Sequence, residues 1–153
     1  MNSPIDLRRE PPRSPHERVG GYAILARTID KCRGVVAGQV GDYHFNCPLD
    51  QMFFAFKDVA AADLQRHIES GATEEQIVTW LEEAGAPKTP AEIEAWSKGM
   101  EAVYPYDDPE RRSWFIEQCG PLGLDPVRTT LFDYLDADDR ASFAEFAHRG
   151  DFF

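Results

Sequence analysis

A chain of 153 residues, 42% hydrophobic and 28% charged, has ordinary globular composition and can bury roughly 70% of its unfolded surface in one compact domain. Its net charge of -11 argues against binding phosphate backbones. No apolar run approaches a membrane span or follows a charged start as in a signal peptide, so nucleic acid and membrane are excluded as partners and the cytoplasm is the default location. Three cysteines (Cys32, Cys47, Cys119) cannot all pair and lack CxxC spacing, which argues against a disulfide framework. The charge is uneven: residues 1–57 hold eight Lys/Arg against six Asp/Glu, and residues 58–153 hold eight against twenty-one. The basic groups of the first part can attract a small anion, while the acidic helices of the second keep the protein soluble.

In chain order, residues 1–12 are polar, end in Pro11-Pro12 and read as a flexible leader before a single helical domain over 13–153. Ser14-Pro15-His16-Glu17 carries a helix-start pattern, with Ser14 as N-cap and Glu17 closing a capping box. Val19, Tyr22, Leu25, Ile29, Cys32 and Val36 then recur at spacings of three and four, which predicts one apolar helix face running to Gly34 or Gly38. Inside that span, Gly20-Gly21 costs about 1 kcal/mol per glycine and points to close approach of another backbone or ligand. Val40 to Cys47 reads as a loop with an extended piece at Tyr43–Phe45, and Pro48 opens a short aromatic helix through Phe56. A helix from about Ala60 to Ser70 precedes two further capping boxes, Thr73–Gln76 and Thr89–Glu92. Asp108-Pro109 and Asp125-Pro126 introduce the last two helical regions, before a tail ending in Phe152-Phe153. With no strand-length alternation, the expected fold is all-α, with six or seven short helices.

The run RSPHERVGGYAILARTIDKCRG, the loop GDYHFNCPLD and the later TTLFDYLDADDR together resemble the bacterial domain-of-unknown-function family 5069. The likeness covers nearly the whole chain, and the GDYHFNCPLD loop is its most specific piece. Ala26 departs from the pattern, in which proline precedes the arginine. The resemblance implies a small stand-alone bacterial domain and carries no activity with it.

Two constellations have the residue types of a site. In the first, Cys47 lies before Pro48 at a helix start, where free N–H groups favour a thiolate; His44 would accept its proton and Asp50 would orient the imidazole. The same His44 and Cys47, with Asp50, Cys32 or His16, make only one loose pair. Structural zinc takes four ligands in tight pairs, so no metal is assigned and no cofactor is identified. His67 and His148 stand alone as solvated residues.

The second constellation is Arg27, Asp30, Lys31 and Arg33, in which Asp30 has Arg27 and Arg33 each three positions away. Together with Tyr22 and Tyr43 these residues would line a cleft that recognises a carboxylate or phosphate. The sequence also lacks GxxxxGK[ST], GxSxG, HExxH and an EF-hand loop. The leading expectation is therefore a domain that binds a small polar or anionic molecule between its first helix and residues 43–56, with thiol chemistry at Cys47. The alternative is a non-catalytic module that docks a protein partner through Trp114 or Phe152-Phe153.

Overall fold

The computed structural model describes the backbone of residues 5–150 and the side chains of residues 5–143. Phe152, Phe153 and the side chain of His148 lie outside these. The architecture is all-α: α1 (Leu25–Ala37), α2 (Pro48–Lys57), α3 (Ala61–Glu69), α4 (Glu74–Glu83), α5 (Pro90–Glu101), α6 (Arg112–Leu122) and α7 (Leu131–Gly150), with a single 3-10 turn at Pro105–Asp107. The described residues form no sheet, and the sole β-bridge joins Val19 to Tyr22. No helix among the described residues is long and apolar enough to cross a membrane. The chain divides into two compact units, Met1–Ser97 and Lys98–Phe153.

In the first unit α1 packs against α3 and α2. Leu25 to Cys32 are buried without a break, charged side chains included, so the first two turns of this helix are enclosed rather than amphipathic, while Val36, expected on the buried face, is exposed with Val35 in the last turn. Leu64 and Ile68 of α3 and Ile77 and Leu81 of α4 are buried as well. Leu7, within the stretch read as a leader, is 1% exposed, and its N–H donates to the Gln39 carbonyl at 2.9 Å. In the second unit Phe115, Cys119 and Tyr134 form a core flanked by Tyr106, Leu122, Leu124, Leu131 and Leu135.

The capping boxes at Thr73 and Thr89 start α4 and α5 as expected: each hydroxyl accepts the N–H three residues on, at 3.1 Å. Asp108 instead makes a turn, accepting the Glu110 N–H at 3.0 Å, and α6 begins at Arg112. The cap before α7 is Thr130, whose hydroxyl accepts the Asp133 N–H at 3.1 Å; Asp125-Pro126 lies in the turn before it.

The expected helix start at Ser14 is corrected by ten residues. Gly20 (φ 59°) and Gly21 (φ 84°) both take positive φ, closing a two-residue turn in which Val19 and Tyr22 exchange both backbone hydrogen bonds. Those groups are then spent on the turn and cannot continue a helix from Ser14. The Ser14 hydroxyl caps only a local turn, accepting the His16 N–H at 3.2 Å. Helix α1 begins instead after Ile24, a buried β-branched residue at φ 67°. Such a conformation costs on the order of 1–3 kcal/mol and persists only where its surroundings enforce it. Here the Ile24 N–H donates to the Pro15 carbonyl at 2.9 Å, while its own carbonyl accepts the Thr28 N–H at 2.9 Å.

Candidate functional site

Helix α1 carries its charged residues into two separate hydrogen-bonded networks. The first centres on Asp50, fully buried in the first turn of α2. Its Oδ1 accepts the Thr28 hydroxyl at 2.6 Å; its Oδ2 accepts Lys31 Nζ at 2.8 Å, the Asn46 N–H at 2.9 Å and the Cys47 N–H at 3.4 Å. Lys31 Nζ also donates to the His44 carbonyl at 3.0 Å and to Cys47 Sγ at 3.3 Å, which uses all three of its donors. Lys31 and Asp50 thus pin the 43–47 loop onto α1. The His44 ring takes no part, being exposed while its carbonyl does the binding. Asp50 meets a hydroxyl, an ammonium and two amides, and no imidazole.

The second network faces other elements. Asp30 takes its cation from Arg13 rather than from Arg27 or Arg33: Nε and Nη2 of Arg13 each lie 3.0 Å from its carboxylate, and the Arg13 N–H donates at 2.8 Å. Arg13 also bonds Glu74, at the start of α4, and Arg33 approaches the same carboxylate at 3.7 Å. Arg27 lies over the Tyr43 ring, its guanidinium carbon 5.5 Å from the centroid, and one of its nitrogens donates to the Arg13 carbonyl at 3.4 Å. Of the six predicted ligand residues, Lys31, Arg27 and Tyr43 therefore meet around the 40–47 loop, and Asp30 and Arg33 meet around Arg13 and Glu74.

Tyr22 belongs to neither network. Its ring packs edge-on against Phe53 at 5.2 Å, Phe56 at 6.3 Å and Trp96 at 6.4 Å, and burial raises its hydroxyl pKa. Beside it opens a cavity of about 560 Å³ whose walls include Gly20, Gly21, Tyr22, Lys57, Lys88 and Ile93. The Gly-Gly turn forms one edge because side chains there would crowd Val78 and Ile93, whose methyl carbons stand 3.2 and 3.3 Å from an added Cβ.

Two lysines line this space. Lys57, the last residue of α2, is 2% exposed, and its Nζ donates to the Ala86 carbonyl at 2.7 Å. No carboxylate pairs with it among the described residues, and burial first, then the Lys88 charge, lowers its pKa. Its backbone carbonyl is held too: the Ala86 N–H donates to it at 2.7 Å, and a Cβ on Gly85 would lie 2.1 Å from it. Lys88 Nζ sits 4.3 Å from the centroid of Phe56, which stacks on Trp96 at 4.8 Å. At the rim, the exposed Glu94 is occupied by Arg18 at 2.7 Å. Neither lysine was singled out from the sequence, since a lysine closing an aromatic helix reads as a partner of the helix dipole.

Against known families, residues 9–141 match a domain of unknown function, DUF5069. The chain belongs to that family. A search of curated proteins gives no match. The DUF5069 match spans the Asp50 network and every wall residue of the cavity, so both are features of the matched domain rather than of its flanks.

Proposed function

We propose that the first unit of this DUF5069 chain binds a small anionic molecule with an apolar body, in the cavity between the Gly20-Gly21 turn, Lys57 and Lys88. The observation that carries this reading is Lys57: a buried amino group with one backbone acceptor and no carboxylate partner among the described residues, on the wall of a space large enough for a ligand. A charge in that position is costly unless an anion completes it or the amine gives up its proton. Tyr22, Val78 and Ile93 supply apolar wall for the remainder of the ligand. The cleft expected between α1 and residues 43–56 is a weaker seat, because Lys31 has no donor left to offer.

Thermal shift against matched carboxylates, phosphates and their neutral amides tests the reading. A ligand at a hundred times its Kd stabilises by about 2.7 kcal/mol. Anions should raise Tm, amides should not, and Lys88→Ala should weaken the effect. Equal shifts from amides, or no effect of Lys88→Ala, would overturn it.

A second reading has its own observation. Trp114 and Ile116 of α6 are 44% and 45% exposed, which supports docking of a protein partner by the second unit. Trp114→Ser with Ile116→Ser should abolish any such association while leaving ligand shifts intact.

A further inference from the structure

Resting on the reading of the cavity as an anion site, we propose that Lys57 is an amine nucleophile that forms an imine with an α-oxo acid bearing an apolar side chain. The argument begins with what holds the amine. Lys57 Nζ has one acceptor, the Ala86 carbonyl at 2.7 Å, which can take an N–H from either the ammonium or the neutral amine. In the neutral form the nitrogen stays tethered with its lone pair free. The tether is closed on both sides, since Ala86 also donates its N–H to the Lys57 carbonyl, and Gly85 lies so close to that carbonyl that a Cβ there would stand 2.1 Å from it. The residue is 2% exposed, has no carboxylate partner among the described residues and shares the cavity walls with a second cation, Lys88, and with two acidic residues, exposed Glu82 and the Arg18-paired Glu94. Burial beside a cation is the setting that turns a lysine into a nucleophile, and both effects act on Lys57 in the same direction.

The other groups of the cavity define the partner. Lys88, close over Phe56, is placed to take a carboxylate, and the apolar wall of Val78, Leu81 and Ile93 takes a hydrocarbon side chain. A carbonyl next to that carboxylate presents its carbon to Lys57. The step balances without an oxidant or reductant. Lys57 first gives up one proton to water, and its nitrogen then bonds the carbonyl carbon as the C=O π pair goes to oxygen; one proton passes from nitrogen to that oxygen, giving the carbinolamine. The C–O bond then breaks with the hydroxyl taking a proton from solvent and leaving as water, while the nitrogen lone pair forms the C=N bond and the remaining N–H proton returns to solvent. Lys31 is the contrasting case: also buried, it has Asp50 as a partner at 2.8 Å and no free donor, so it serves structure.

The test uses the full chain with phenylpyruvate as the carbonyl probe and 3-phenylpropionate as the carbonyl-free control. Each is followed by thermal shift, and cyanoborohydride is added to reduce any imine before peptide mass mapping. The expected result is stabilisation by both acids and a stable adduct, with the mass of phenylpyruvate less one oxygen, on Lys57. Labelling of Lys57 should clearly exceed that of exposed Lys98, because burial and the Lys88 charge lower the Lys57 pKa and leave more of it as the neutral amine. 3-Phenylpropionate should suppress the adduct on Lys57 and leave that on Lys98 unchanged. Because Lys57 itself belongs to the anion site, this competition in the unaltered protein, and no variant at Lys57, assigns the adduct to the cavity. Stabilisation by both acids with no adduct on Lys57, or labelling equal at all lysines, would overturn the imine and leave the anion site standing. Stabilisation by neither acid would overturn both.

Discussion

At the scale of single residues, the strongest consequence is that Asp50 organises the 43–47 loop. Removing its carboxylate takes the counter-charge from the buried Lys31 ammonium, the shorter of two acceptors from the Thr28 hydroxyl and the side-chain acceptor from the Asn46 and Cys47 amides. Breaking a buried ion pair from one side costs on the order of 3–5 kcal/mol, and Asp50→Ala should lower unfolding stability by about that much in chemical denaturation. The cysteines provide a second prediction. Cys32 and Cys119 are fully buried while Cys47 is half-buried with Lys31 Nζ at 3.3 Å, so iodoacetamide should label Cys47 first at neutral pH. Because the His44 ring is exposed and only its carbonyl meets Lys31, His44→Ala should leave that labelling rate unchanged. A slowed rate would restore the imidazole as proton acceptor. The residue types of this loop were legible in the sequence. Their roles were not, because partners three and six positions along a loop leave open whether the His44 ring or its carbonyl turns inward.

At the scale of elements, helix starts depend on whether the cap's backbone groups are free. Thr73 and Thr89 each close a reciprocal box, with their N–H groups donating to Gln76 at 2.8 Å and Glu92 at 3.0 Å. Thr73→Ala and Thr89→Ala should each cost about 1 kcal/mol, and Ser14→Ala much less, because Ser14 caps no helix. Gly85 tests the attachment of α2 to the turn before α5. Any Cβ there meets the Lys57 carbonyl, and the residue sits at φ 67°. Left-handed backbone alone costs about 1–2 kcal/mol for a side-chain-bearing residue, so Gly85→Ala should destabilise by more than that. A change within about 0.5 kcal/mol would show that the turn can move away from α2.

At the scale of the whole molecule, buried titratable groups make stability depend on pH. Burial foremost, with the Asp50 and Glu69 charges adding to it, pushes the Cys32 thiol up to about 12 from its ordinary 9.0. The unfolded chain therefore releases this proton at lower pH than the folded one. The contribution of Cys32 is complete below pH 9 and is lost as pH rises from 9 to 12. Chemical denaturation across that range should show Cys32→Ala gaining on the parent protein as pH rises. Comparison at each pH cancels the opposite trend from Lys57, whose lowered pKa favours folding as pH rises. A constant difference between the two proteins would show that Cys32 does not titrate in this window.

By itself the sequence determined the helical class, most helix positions and the concentration of polar residues on α1. These follow from local periodicity and from caps that act within four residues. Gly20-Gly21 was visible as an anomaly, and its cause is now clear: the pair closes the turn that delays α1 to Leu25. Tertiary structure alone decided that Asp30 belongs to Arg13 and Glu74 to both Arg13 and Arg33, since these pairs join segments up to 61 positions apart. It alone also brought the last residue of α2, a loop lysine before α5 and a glycine turn before α1 around one cavity. Each of these three reads as ordinary in its own neighbourhood, and what sets Lys57 apart is the counter-charge it lacks once the chain has folded around it.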